Sequence, residues 1–271
     1  RLCTLLMVVA VAVLGLAAAA PVAHAAEVGD PAATKGKTYK IGTDTTFAPF
    51  EYQEKGKMVG IDMELIQSIA KKEGFKIEIQ ASGFNAALQA LSSNQVDLVI
   101  AGMSITDERK NAVDFTSPYY TTTSAIITKA GTPAANAKSI ADLKDVLIGV
   151  QAGTTSQQFA SENLESGLSQ KLQMFNSSDD TVLALQTGRV DAIVVDLPTA
   201  FYMVSAQIDD GVIIGQFDDT TGGEEYGIVL PKGSKLTPTV SAAVDRLASS
   251  GKLAELQEKW LNEAQNVPTL K

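Results

Sequence analysis

The 271-residue sequence holds one cysteine and one histidine, Cys3 and His24, both within the first 25 residues. From residue 26 onward neither type occurs. That excludes a thiol nucleophile, a disulfide, a His/Cys zinc site and a Ser-His-Asp triad from residues 26–271. Basic residues are in the minority, 22 against 31 acidic, and the net charge is −9. Such a balance argues against a nucleic-acid binder and against a protein held on anionic lipid by its surface charge. Nucleotide motifs are also missing. "GVQAGTT" lacks the lysine of a phosphate loop, and no G-x-G-x-x-G follows a strand. No cofactor, metal site or catalytic residue is expected. What remains, at 45% hydrophobic residues, is enough to bury one or two sizeable cores.

Arg1 is followed by an apolar, alanine-rich stretch with no Lys, Arg, Asp or Glu before Glu27. Ala23-His24-Ala25 has the small-x-small form of a signal-peptidase site, with cleavage before Ala26. Pro21 and the missing basic flank weigh against a membrane anchor. Residues 1–25 therefore read as a signal peptide and 26–37 as a loose leader. Cys3 lies too early for lipid attachment, so a freely soluble periplasmic protein is expected.

From Tyr39 strands and helices alternate. "YKIGT", "KIEIQ" and "VDLVI" read as strands, and "GIDMELIQSIAKKEG" and "FNAALQALSSNQ" as helices. The rhythm restarts after Pro133 with a short helix, "SIADLKD". Strands "VLIGV", "KLQMF" and "VDAIVVD" then alternate with helices "TTSQQFASENLES", "DDTVLALQTG" and "PTAFYMVSAQ". "EEYGIVL" reads as one strand, and two helices follow it. The pattern is α/β with mostly parallel sheets. An internal echo sets residues 87–102 beside 182–196, with Asp97 on Asp191 and Gly102 on Asp196. A weaker one sets 40–47 beside 147–154, with Asp44 opposite Gln151. Two lobes of like architecture follow.

Ligands of parallel α/β sheets bind beyond the carboxyl ends of the strands. The strand-end segments "TDTTF", "AGMSIT", "VQAGTT" and "VDLP" would converge between two facing lobes. They carry carboxylates, hydroxyls and an aromatic, and Arg109 follows close behind, a set suited to a small zwitterion. Arg109 has the wrong sign for the first turn of a helix opening at Thr106, so it either pairs with Asp107 or Glu108 or meets an anion. Asp196 in "DLP" is equally a good helix N-cap or a ligand group.

The motifs "GTDTTFAPFEY", "GIDMELIQSIAK", "AGMSITDERKNAVDFTSPYY", "GVQAGTT", "VDAIVVD" and "EEYGIVLPKGS" run in order over residues 39–262. In these the chain resembles the polar-amino-acid binding proteins of bacterial ABC importers, the family of the glutamine, lysine/arginine/ornithine and histidine binders. The resemblance implies a type II periplasmic-binding-protein fold with two lobes, each a mixed, mostly parallel sheet flanked by helices, and a two-strand hinge. It places lobe 1 at 38–120 plus 225–265, lobe 2 at 124–220, and hinges at 119–123 and 222–226. It assigns Arg109 to a ligand α-carboxylate, Asp196 and the Gly102 carbonyl to the α-ammonium, and Ser104 and Thr155 to further ligand contacts. Phe47 and Phe84 would sandwich the ligand side chain. Gln151 stands where the glutamine binder has a lysine, and Val195 where it has a histidine, so that specificity does not transfer. Asp44, with Glu51 adding negative potential, leans to arginine or another basic amino acid, then glutamine, then histidine. The expected partners are a free polar L-amino acid and an importer permease, with the protein a monomer. Two alternatives share the fold. One is a prephenate or arogenate dehydratase, against which the apparently complete amino-acid clamp weighs. The other is a receptor's sensing module, against which the ending "NEAQNVPTLK" weighs.

Overall fold

A computed structural model describes residues 34–217, 224–261 and 267–270. The signal-peptide reading, most of the leader, and Gly222 and Gly223 of the second hinge lie outside the described residues.

The first lobe opens with β1 (Thr38–Thr43), a small antiparallel sheet of β2 (Thr46–Phe47), β3 (Glu51–Glu54) and β4 (Lys57–Val59), and helix α1 (Ile61–Glu73). It continues with β5 (Lys76–Ala81), α2 (Phe84–Ser92), β6 (Leu98–Val99), α3 (Asp107–Ala112) and β7 (Val113–Phe115). β8 (Tyr120–Thr122) leads to the second lobe, which begins with β9 (Ser124–Lys129), β10 (Ile148–Gln151) and α4 (Thr155–Asn163). β11 (Gln173–Phe175), α5 (Ser178–Gln186), β12 (Ala192–Asp196), α6 (Leu197–Tyr202) and β13 (Gly211–Phe217) complete it. β14 (Glu224–Tyr226) then leads back to β15 (Val229–Pro231), α7 (Thr237–Ser249) and α8 (Lys252–Trp260) in the first lobe. A last strand, β16 (Thr269–Leu270), joins the second sheet beside β13.

Local chemistry accounts for the helices. α1 has Asp62 and Glu64 in its first turn, Lys71 and Lys72 in its last, and a left-handed Gly74 as C-cap. Both charge placements favour the helix dipole, and glycine takes the left-handed cap without strain. Threonine or serine side chains cap α3, α4 and α5 at Thr106, Thr154 and Ser177. Apolar residues Leu65, Ile66 and Ile69 turn one face of α1 into the core.

The two large sheets repeat one topology. The first runs β5-β1-β6-β15-β7 and the second β11-β10-β12-β9-β13, with β16 at its edge. In each, the first three strands are parallel, the fourth is antiparallel to its neighbours, and the fifth pairs with it. The sequence echo has a shared physical basis. Lys40 N donates to Asp97 Oδ2 at 2.7 Å, and Leu147 N donates to Asp191 Oδ2 at 2.8 Å. Gly42 and Gly149 leave room for the valines of the same echo, since a Cβ there would meet Val96 at 3.3 Å and Val190 at 3.3 Å.

Two strand readings and one helix reading change. "VDLVI" narrows to Leu98–Val99. "SIADLKD" is a 3-10 turn over Ile140–Leu143. "EEYGIVL" divides at Gly227, whose N–H donates to Met103 O. Its first half, β14, pairs antiparallel with β8 and forms the two-strand link between lobes; its second half belongs to the first sheet. No period-2 pattern separates these halves, because both are buried by different neighbours.

The repeated backbone bond predicts a repeated cost. Asp97→Ala and Asp191→Ala should each lower stability by about 1–2 kcal/mol, and the double variant by roughly the sum, since they share no partner. Urea unfolding checks this; a cost at only one site would show that the two turns are not equivalent.

Candidate functional site

All nine residues expected at a site line one cavity between the lobes, with about 480 Å³ of empty space, part of it open to solvent. Asp44, Phe47, Phe84, Gly102, Ser104 and Arg109 come from the first lobe, and Gln151, Thr155 and Asp196 from the second. The lobes touch around it. Asn85 Nδ2 donates to Ala152 O at 3.1 Å, and Ser178 N donates to Thr46 Oγ1 at 3.3 Å.

Arg109 sits in the first turn of α3, its N–H donating to the Thr106 cap. Its guanidinium donates to Ser104 O at 2.8 Å and, across the cleft, to Gly153 O at 3.0 Å. The local ion pair weighed for it does not form: Asp107 pairs with Lys110 at 3.3 Å. Among the described residues Arg109 has no ion-pair partner. Burial lowers its pKa, while Glu224 and Asp196 act in the opposite direction. Its Cζ lies 5.9 Å from the centroid of the Phe84 ring.

Asp196 ends β12 and occupies the N-cap position of α6, yet its side chain makes no capping bond. Ser156 Oγ donates to Oδ1 at 2.8 Å, and the Tyr226 hydroxyl donates to Oδ2. Burial, and next the charge of Glu224, push its pKa up to about 7; the bonds from Tyr226 and Ser156 and the charge of Arg109 work against that. The cavity thus has a guanidinium and a carboxyl group on its walls, each oriented by neutral partners and neither in an ion pair among the described residues.

Ser104 and Thr155 meet directly, with 2.9 Å between hydroxyl oxygens. Ser104 donates to Glu224 Oε2 at 2.8 Å, so Thr155 is the donor to Ser104. Gly102 is left-handed at φ 50°, and a Cβ there would lie 2.5 Å from Phe47 Cε1. The Phe47 ring, packed on Phe50 at 5.7 Å between centroids, therefore needs glycine at 102.

At the far end Asp44 is buried. Thr45 N donates to its Oδ1 at 2.6 Å, and Gln151 Nε2 donates across the cleft to its Oδ2 at 3.2 Å. Ser178 Oγ donates to Gln151 Oε1 at 2.9 Å, fixing the amide. Burial raises the Asp44 pKa, partly offset by hydrogen bonds from Thr45, Gln151 and Thr46. Glu51, expected to add negative potential, is buried beside Asp62. Burial, Asp62 and Asp44 hold its pKa well above the carboxylate range, favouring the neutral acid.

Sequence reasoning missed Ser156, Ser178, Glu224 and Tyr226. "TTS" and "NSS" carried a helix-start signal that accounts for their positions. No spacing rule points to Tyr226, because its reach to Asp196 depends on the linking strand passing beneath the cavity.

Residues 39–263 match the family model of the bacterial extracellular solute-binding proteins, family 3. The chain belongs to that family. It is 35% identical over 221 residues to the arginine-binding extracellular protein ArtP of Bacillus subtilis, covering 81% of this chain and 84% of that one. Among solved structures, an ancestral arginine-binding protein bound to arginine superposes with a TM-score of 0.75 at 37% identity, covering 83% of this chain and 98% of that one. The ancestral amino acid-binding protein AncCDT-1, described as a precursor of cyclohexadienyl dehydratase, gives a TM-score of 0.75 at 33% identity, covering 83% and 96%. The fold of this family member is the two-lobed type II binding-protein fold.

The Gly102 contact makes a prediction independent of any ligand. Gly102→Ala should cost about 1–3 kcal/mol, and adding Phe47→Leu should recover part of it in thermal melts. Strictly additive losses would show that the Phe47 ring is not what requires glycine.

Proposed function

We propose that the protein captures a polar L-amino acid, with a cationic side chain favoured, by closing its lobes around it. The observation that carries this is the pair Arg109 and Asp196: opposite charges facing one cavity, with no ion-pair partner for either among the described residues. A zwitterion supplies both missing charges. Its carboxylate fits the planar fork of Arg109, aided by the N-terminus of α4 at Thr155. The ammonium goes to Asp196 and the Gly102 carbonyl, and the side chain runs between Phe47 and Phe84 toward Asp44. There Asp44 is an acceptor with no cation beside it among the described residues, which favours arginine, lysine or ornithine over glutamine. The relative and the ancestral structure named for arginine support that order.

In mechanism, the first lobe offers Arg109 and Asp44, and closure brings Asp196 and Thr155 while excluding water. Charge-assisted bonds strengthen as the site dries. The ligand stabilises the closed state only through contacts it makes in that state. We read the site as one for binding rather than turnover, and the exported chain as a periplasmic monomer, cleaved near Ala25/Ala26, that hands its ligand to an importer permease.

Refolded, ligand-stripped protein tested against the L-amino acids, ornithine and citrulline should show its largest thermal shift with a basic amino acid. A ligand at a hundred times its Kd adds about 2.7 kcal/mol. No shift with any amino acid, or turnover of prephenate by the same protein, would count against the reading. Arg109→Ala should weaken binding by about 2–5 kcal/mol.

The Asp196 carboxyl sets a pH dependence. The ligand ammonium favours its charged form, so binding below about pH 7 displaces a proton. Affinity should strengthen by up to about tenfold per unit as pH rises toward that value and then level off. Calorimetry in buffers of different ionisation enthalpy should detect the released proton in wild type and none in Asp196→Asn.

A further inference from the structure

Below the cavity, three buried carboxyl oxygens meet no hydrogen-bond donor: both of Glu51 and Oδ1 of Asp62. Both residues are fully buried. The turn before α1 fixes them together. Ile61 N donates to Pro49 O at 3.1 Å and Asp62 N to Phe50 O at 2.9 Å. Gly60, at φ 119°, lets the chain pass so close that a Cβ would lie 2.2 Å from Phe50 O. The other oxygen of Asp62 is fully used. Oδ2 accepts from Gly102 N at 2.9 Å and from the Tyr119 hydroxyl at 2.9 Å.

The groups facing Glu51 are Asp62 from α1, Asp44 from the end of β1, and Tyr119 from the segment before β8. None is a cation, and neither Glu51 nor Asp62 has an ion-pair partner among the described residues. Two ionised carboxylates in one dry site repel strongly, and neither can donate to the other. One proton between them turns two of the three orphaned oxygens into a hydrogen bond.

We propose that Glu51 and Asp62 share one proton, and that this acid–carboxylate pair is the positioning device holding the Gly102 backbone and Tyr119 for ligand capture. It deepens the reading above and rests on it only for the ligand's contact with Gly102. Glu51 is the acid and donates to Asp62 Oδ1. Asp62 carries the charge, so its bonds from Gly102 N–H and Tyr119 O–H are charge-assisted. Through them one side chain fixes the ligand-facing turn after β6 and the entry to the linking strand β8. Burial pushes Asp62 up to about 6 and Glu51 well above its usual range. A raised carboxyl pKa means the folded form holds a proton that the unfolded chain has lost. The Glu51 contribution is therefore complete at acid pH and disappears as pH rises through its raised value.

Glutamine at 51 keeps a donor to Asp62 and has no proton to lose, so Glu51→Gln separates the shared proton from simple packing. Three readouts apply: the infrared carbonyl band of a protonated acid, the thermal midpoint across alkaline pH, and L-arginine affinity by calorimetry. At neutral pH the acid carbonyl band of wild type should lose the contribution of one buried acid in E51Q, while any contribution from Asp196 stays. The wild-type midpoint should fall with rising pH more steeply than that of E51Q. E51Q should bind L-arginine about tenfold or more tightly than Glu51→Ala; should the alanine variant not fold, the band and the melts decide. An unchanged band, parallel melting profiles, or an E51Q protein that fails to fold at neutral pH overturns the proposal. If wild type binds no amino acid, the functional reading fails while the band and the melts still decide the shared proton.

Discussion

A guanidinium and a carboxylate on the walls of one cavity attract each other, and everything around this site keeps them from pairing. Arg109 is held by two backbone carbonyls and Asp196 by two hydroxyls. Neutral partners orient a charge without cancelling it. Arg109 sits in the first turn of α3 and Asp196 at the end of β12, so the backbone under each is fixed by its own element. A removed partner leaves a buried charge uncompensated, which costs far more than a formed pair returns. The site is thus held short of electrostatic completion, which a small zwitterion can supply.

The repeated sheet explains why these groups meet. Asp44 and Gln151 follow the same strand of the repeated unit, β1 and β10, and they hydrogen-bond to each other across the cleft. Gly102 and Asp196 follow its other central strand, β6 and β12, and line the same cavity. Two copies of one unit facing each other bring equivalent strand ends together, so a single topology supplies both walls. Divergence at equivalent positions then makes the walls complementary: an acid faces an amide, and a glycine faces an acid.

Helices were legible because their signals are local. The stripe and C-cap of α1, and the capping residues before α3, α4 and α5, lie within a few residues of one another in sequence. The nine residues that line the cavity were legible because a family pattern selects all of them and the strand ends select all but Phe84. What stayed hidden depends on distant partners. β14 and β15 look like one strand until the partners of each half are known. Tyr226 appears as part of a hinge, and its hydroxyl finds Asp196 only through the fold. Glu51 reads from sequence as a charge that adds to Asp44, and only its burial against Asp62 makes it an acid.

Five contacts that join the lobes around the cavity are hydrogen bonds, and a ring contact, Tyr52 on Tyr202 at 5.3 Å between centroids, joins the lobes as well. Asn85 to Ala152, Ser178 to Thr46, Thr155 to Ser104, Gln151 to Asp44 and Arg109 to Gly153 are all hydrogen bonds between groups that water also satisfies. Each is worth only about 0.5–1.5 kcal/mol net when neutral, and somewhat more when charged. Their sum is comparable to the cost of ordering the side chains that make them. Contacts of this size are of the same order as the few kilocalories of differential contact a ligand can add, so a ligand can decide between a closed and an open arrangement. Polar contacts across the cleft are ones a ligand can join or replace at little cost, and that is what lets binding and closure be one event.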